Sequence, residues 1–251
     1  MGATVRVLLI DIETSPNLAH VWRIWQENVG LEQLLESTQM MCFAAKWYHE
    51  REVFFHSQFA DGQEDMVTAA HSLLDEADAV VHYNGKKFDI PHLNREFLLG
   101  GLTPPSPYKQ IDLLKVVQKQ FNFPSNKLAY VSRALGLAGK VPHEGHALWV
   151  KCMNGDPAAW KRFERYCRRD TVLLEPMLDI LRPWCPTLPN FNLYGDEEQH
   201  VCPKCGKGDK LTRQGYAYTQ VSKFQQWRCG HCGSWSRSAK RELGSDLRES
   251  A

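Results

Sequence analysis

Four acids, Asp11, Glu13, Asp89 and Asp170, stand in local contexts suited to holding hard divalent cations. Asp11-Ile12-Glu13 follows the apolar run Val5-Arg6-Val7-Leu8-Leu9-Ile10, which reads as a buried strand whose two acids share one face, about 6 to 7 Å apart. Carboxylates at that spacing can share a cation, and oxygen-only ligands favour Mg2+ or Mn2+ over thiolate-seeking ions. Asp89 follows another strand-like run in Asn84-Gly85-Lys86-Lys87-Phe88-Asp89, so it opens a helix just past a strand end, where ligands gather in α/β sheets. Asn84-Gly85 suits a tight turn that lets backbone or amide approach a substrate, while Phe88 and Leu93 are expected to fasten the new helix to the core. Tyr166 and Asp170 are spaced i, i+4 in a helical stretch, which sets a phenol beside a carboxylate. Taken singly, Asp89 is also a helix N-terminal acid favoured by the macrodipole, and Tyr166 an ordinary half-buried aromatic. The combination is what points to metal chemistry.

A second chemistry lies near the C-terminus. Cys202-Pro203-Lys204-Cys205-Gly206 and Cys229-Gly230-His231-Cys232-Gly233 are two CxxCG knuckles separated by the 23 residues 206–228. Four thiolates satisfy one tetrahedral Zn2+ with no open position, a structural site, and a glycine behind each second thiolate permits the turn. His231 is then read as non-ligating. Between the knuckles Tyr216, Tyr218, Phe224 and Trp227 alternate with Arg213, Lys223 and Arg228, the pattern of a zinc-ribbon hairpin able to stack unpaired bases while cations hold the backbone, although such modules also dock proteins. So small a module depends on its metal for folding free energy. The remaining cysteines, Cys42, Cys152, Cys167 and Cys185, are dispersed and read as reduced thiols.

The elements that must position these groups are legible from hydrophobic periodicity. Strands are predicted at Val5 to Ile12, Met40 to Tyr48, Glu52 to Ser57 and Ala79 to Tyr83. Helices are predicted at Glu64 to Ala77, Asp89 to Leu99, Asp112 to Phe121, Lys127 to Leu135 and Pro157 to about Leu181, the last capped by Asp156. Three strands, a helix and a returning strand make a mixed sheet, so the class is α/β. With 251 residues and 43% hydrophobic content, the chain supports one main core, assigned to 1–190, and a small appendage at 198–236, followed by a polar tail at 237–251 expected to be flexible. Residues 15–39 read as an insertion whose Trp22 and Trp25 pack it onto the body, or else stack a base of a bound strand.

The formal charge of +1 conceals an asymmetry: residues 201–251 hold 10 Lys or Arg against 4 Asp or Glu, about +6, leaving about −5 for the rest. An acidic body suits metal binding and a basic tail suits phosphates. Lys86 and Lys87, beside Asp89, are candidate phosphate contacts. No apolar run reaches the roughly 20 residues of a membrane span, and no secretory leader is read, so a soluble, cytoplasmic protein without membrane contact is expected.

Asp-Ile-Glu-Thr at 11 to 14, Asn-Gly-x-x-Phe-Asp-x-Pro-x-Leu from Asn84, and Tyr-x-x-x-Asp ending at Asp170 resemble the three exonuclease motifs of the DEDDy family, within the DnaQ-like, ribonuclease H-like superfamily. The resemblance covers roughly residues 4–182; the sister class carries His where this chain has Arg165. It implies two-metal phosphodiester hydrolysis, with Asp11, Glu13, Asp89 and Asp170 holding Mg2+ or Mn2+, Tyr166 orienting the attacking water, and Thr14, Asn84 and Phe88 near the substrate. It further implies removal of 5′-mononucleotides from 3′ ends, with single-stranded DNA the expected substrate. An RNA-directed or internally cutting relative, and a non-catalytic nucleic-acid-binding or protein-binding adaptor, are the alternatives.

Overall fold

The apolar run before Asp11 becomes strand β1 (Val7–Thr14), buried through Ile10 and half-open at Asp11, Glu13 and Thr14. The computed structural model describes residues 5–25, 28–137, 139, 144–194 and 200–248. A short ribbon, β2 (Leu18–Ala19) with β3 (Leu34–Glu36), is followed by β4 (Met40–Trp47) and β5 (Phe54–Ser57). Then come α1 (Gln63–Asp75), β6 (Ala79–His82), α2 (Asp89–Leu99), β7 (Lys109–Asp112), α3 (Leu113–Gln120), α4 (Leu128–Ala134), α5 (His146–Met153) and α6 (Pro157–Leu181).

The main sheet has the order β5-β4-β1-β6-β7, with β4 antiparallel to its neighbours and β6 and β7 parallel to β1. The mixed α/β sheet is therefore as expected, because the α1 crossover returns β6 parallel to β1. Alternation along β1 divides the core. Leu8, Ile10 and Ile12 pack under α1 and α2 with Met66, Leu74, Leu93 and Phe97, whereas Val7 and Leu9 face Val117, Leu174 and Leu178 of α3 and α6. Asp11 and Glu13 continue the second series, so the period of two aims both at α6.

Helix α6 begins as its sequence dictates: the Asp156 carboxylate accepts from the Ala158 and Ala159 amides at 2.8 and 3.2 Å, with Pro157 at the first position. It continues through Pro176 to Leu181. Strand β7 and helix α5 were not anticipated. Asp112, expected to start a helix, ends β7 and caps α3 by accepting from the Leu114 amide at 3.0 Å. Four half-polar residues carry too little periodicity to announce a strand.

The insertion at 15–39 departs from expectation. Trp22, Ile24 and Trp25 are 93%, 91% and 92% exposed, so the tryptophans do not pack onto the body. The ribbon is tied down at its base, where Ser15 N donates to Gln39 O and Thr38 N to Asn17 Oδ1. Strands of two and three residues offer no face for burial.

The C-terminal sheet contains β8 (Leu211–Tyr218), β9 (Ser222–Cys229), β10 (Trp235–Arg237) and β11 (Leu243–Gly244), all paired to β9. The flexible tail expected from 237 is corrected here: β10 extends to Arg237, and Leu243 lies opposite Lys223 because the edge of β9 requires hydrogen-bond partners. Residues 249–251 of that expected tail, and 198–199 of the expected ribbon, lie outside the described residues. The buried Arg182 joins ribbon to body, donating to Lys204 O and Asp179 Oδ1 with its guanidinium over Tyr48. Phe191 N donates to Pro203 O, and Lys204 Nζ to Cys185 O. Among the described residues, no helix is long and apolar enough to cross a membrane.

Candidate active site

Strand β6 pairs with β1 only over Val7 to Leu9 and then ends, leaving the next amides on that edge of β1 without a ladder partner. Asp89 fills the gap: its Oδ1 accepts from Ile12 N at 3.0 Å, which places the carboxyl group against the backbone between Asp11 and Glu13. Buried Asp89 is 3% exposed, and desolvation pushes its carboxyl up to about 7, opposed by the Ile12 amide and aided by the Asp112 charge. A carboxylate so placed is stabilised in its charged form by a cation.

Helix α6 closes the other side. Thr171 Oγ1 donates to Ala44 O at 3.2 Å, and Cys167 Sγ lies 3.7 Å from Asp11 O, pinning the helix across β4 and β1 at the level of the acids. Tyr166 and Asp170 consequently share this end of β1. Burial first, then the charges of Glu13, Asp170 and Asp11 and a hydrogen bond with Asp170, push the Tyr166 phenol far above its usual range. The five residues are thus brought together by three elements. Among the described residues, the four cysteines are the one group of three or more ligands with donor atoms all within 4.8 Å of one another, so the acids form a wider arrangement.

The other predicted contacts fall unevenly. Thr14 is half-buried at the end of β1, while Lys86 and Lys87 are exposed beside Asp89. Asn84 takes the left-handed conformation with φ 71°, its amide held by Asp112 Oδ1 at 3.0 Å, and it borders a cavity of about 560 Å3 with Tyr83, Gln118, Asn126 and Lys127. Gln118, Asn126 and Lys127 were not anticipated, since nothing in their spacing marks them. Phe88 does not fasten α2 to the core as expected; it is 37% exposed and sits edge-on to His92, while Leu93 is buried as expected and anchors the helix together with Ile90 and Phe97. Gly85 is required for a steric reason: a Cβ there would approach the buried His82 Cβ to 2.7 Å. Gly85→Ala should destabilise the protein by about 1–3 kcal/mol and displace the turn leading to Asp89, read as a lowered denaturant midpoint.

In the ribbon, Cys202 Sγ lies 3.7 Å from Cys232 Sγ, and Cys205 Sγ 3.7 Å from Cys229 Sγ. Four sulfurs on one tetrahedral Zn2+ at about 2.3 Å are separated by about 3.8 Å, so this set could bind zinc. Gly206 and Gly233 have φ of 74° and 75°, the left-handed turns the knuckles need. His231 Nε2 contacts Asp209 Oδ1 at 2.5 Å, outside the sulfur set. Pairing of β8 with β9 puts Tyr216, Tyr218 and Trp227 on one face with Arg213 and Lys223; Lys223 Nζ lies 3.6 Å over the Tyr216 ring. Phe224 lies on the opposite face, against Arg237 at 3.8 Å, next to a Trp235–Arg228 pair the sequence did not single out. The four aromatics therefore do not form one platform.

The RNase_H_2 family model, of the RNase_H superfamily, matches residues 27–182. That match begins beyond β1. No curated protein matches the chain. Among solved structures, the family B DNA polymerase from the hyperthermophilic archaeon Pyrobaculum calidifontis is similar, with a TM-score of 0.53 and 17% identity over 86% of this chain. The chain spans 31% of that polymerase, and at this identity the likeness concerns the fold. With more than half of its 251 residues inside the family match, the chain belongs to the RNase H superfamily.

Proposed function

We propose that the protein is a metal-dependent 3′ to 5′ exonuclease of the DEDDy type, acting preferentially on single-stranded DNA and releasing 5′-mononucleotides. The observation that carries this reading is the hydrogen bond from Ile12 N to Asp89 Oδ1, which brings a third acid to the backbone between Asp11 and Glu13. Asp11, Glu13, Asp89 and Asp170 would hold two Mg2+ or Mn2+ ions. Bound there, divalent cations supply charge neutralisation at the phosphate and an acidified water for in-line displacement. The chain's own share is positional. Tyr166, its phenol raised by burial first and then by the neighbouring acids, donates a hydrogen bond that orients the attacking water. Asn84 offers its side-chain amide at the carboxyl end of β6, and Lys86, Lys87, Thr14 and Phe88 line the approach.

The cysteine site holds one structural Zn2+ in this reading, and Tyr216, Tyr218 and Trp227 form the stacking face for unpaired bases, with Phe224 serving the opposite side. A protein partner on the ribbon is the alternative use of that surface. End-labelled DNA and RNA, single-stranded and double-stranded, incubated with Mg2+ or Mn2+ and resolved on a sequencing gel, test the proposal. A ladder of single-nucleotide losses from the 3′ end of single-stranded DNA is expected. Internal fragments would assign an endonuclease, an RNA preference would change the substrate, and intact strands under all conditions would leave a binding adaptor.

A further inference from the structure

Along α6, Lys161, Arg165, Arg168 and Arg169 recur at i, i+4, i+7 and i+8, and with Glu164 and Val172 they line a shallow groove of about 590 Å3. The residues that line it include a single acid, and it is engaged: Arg168 Nε donates to Glu164 Oε1 at 2.7 Å. Arg168 is further oriented by Val53 O and the Phe55 ring, while Arg169 Nε reaches Gly139 O at 3.5 Å. Lys161 and Arg165 stand exposed, and the neighbouring acids Glu144 and Glu164 are already paired with Arg162 and Arg168.

A charged helix face is ordinarily a solvated one, and two features separate this face from that description. Lys161–Arg165 and Arg165–Arg169 are like-charge i, i+4 pairs, which cost an isolated helix about 0.2–0.5 kcal/mol each. They also gather on residues 1–200, where 20 Lys or Arg stand against 25 Asp or Glu. Concentrated positive charge on one helix face of an otherwise acidic body fits a polyanion. Its location narrows the choice. Arg165 and Arg169 each precede a site residue, Tyr166 and Asp170, by one position, so the groove lies about 100° around a helix about 10–12 Å across from the acids.

We infer that this groove is a binding track for the phosphodiester backbone of the nucleic-acid substrate, holding phosphates that flank the one being cleaved. The inference rests on the nuclease reading above. Lys161 and Arg165 supply mobile charge, and Arg168 and Arg169 supply oriented guanidinium groups.

The test compares wild type with Lys161→Glu/Arg165→Glu, binding a fluorescein-labelled oligothymidylate without added divalent cation, by anisotropy across salt. Removing two phosphate contacts should reduce the magnitude of the slope of log K against log salt by about 1.4, with affinity at about 50 mM salt falling by about tenfold or more. In cleavage with Mn2+, the loss on a strand of about 20 nucleotides should exceed the loss on a dinucleotide by at least about fivefold, because only the long strand reaches the track. Lys161→Gln/Arg165→Gln, with an unchanged melting temperature, provides the same comparison should the reversed charges perturb folding. An unchanged salt slope in a folded variant, or equal losses on long and short substrates, would overturn the track. Groove-dependent binding without any cleavage by wild type would instead overturn the nuclease reading and leave the track standing.

Discussion

Asp11→Asn is expected to lower the proposed exonuclease activity by about a thousandfold or more while leaving the fold intact, a change of about 4 kcal/mol in transition-state stabilisation. Asp11 is central because its strand position faces α6, its carbonyl lies 3.7 Å from Cys167 Sγ, and its charge is felt at Tyr166 together with those of Glu13 and Asp170. Removing one of several crowded negative charges relieves repulsion, so the melting temperature should hold or rise in metal-free buffer even as turnover disappears. That opposition between stability and activity distinguishes a working site from a structural one. Calorimetry or circular-dichroism melting, paired with the end-labelled cleavage assay, reads both. Activity within tenfold of wild type would show that Asp11 holds no ion needed for the chemistry.

Chelating the proposed zinc, or substituting Cys229→Ser, is expected to unfold the C-terminal sheet and leave the body folded. Cys229 is fully buried at the end of β9, the strand to which β8, β10 and β11 all pair, and its amide donates to Ser234 O, so its thiol is fixed within the sulfur set. Apparent zinc-binding free energies of about 10–16 kcal/mol exceed anything so small a sheet can bury. The expected readouts are about one zinc released per chain and a loss of near-ultraviolet signal from Trp227 and Trp235. Affinity for DNA should weaken, with residual turnover preserved. Because Arg182 donates to Lys204 O in the first knuckle, the body should also lose a few degrees of melting temperature as that buried guanidinium forfeits an acceptor. A ribbon that keeps its near-ultraviolet signal after quantitative chelation would end the structural-zinc assignment, and equal total loss of cleavage from both substitutions would place the ribbon within the catalytic pocket.

What could be read from the linear chain was whatever depends on short-range periodicity. Alternation along Val7–Thr14 placed Asp11 and Glu13 on one face, the Asp156-Pro157 signal located the start of α6, and the i, i+4 spacing joined Tyr166 to Asp170. The CxxCG pairs announced a tetrahedral sulfur set for the same reason, since each knuckle is a local turn. Where local preference is weak, the reading went astray: β7 is too short and polar to show a period, and Trp22 and Trp25 were assigned to packing because an aromatic pair ordinarily seeks a core.

Tertiary structure alone decided the rest. No spacing in the sequence could reveal that β6 stops early enough to leave Ile12 N for Asp89, because that depends on where two strands 70 residues apart go out of register. Nor could it show that Phe224 turns its back on Tyr216 and Trp227, which follows from the pairing of β8 with β9. The cations of α6 share a face through helical spacing, yet their nearness to the strand that carries Asp11 and Glu13 exists only once the helix is laid across β1 and β4. Side-chain chemistry and local geometry are written along the chain, whereas which groups meet is set by strand register and helix docking, interactions between segments that no local pattern encodes.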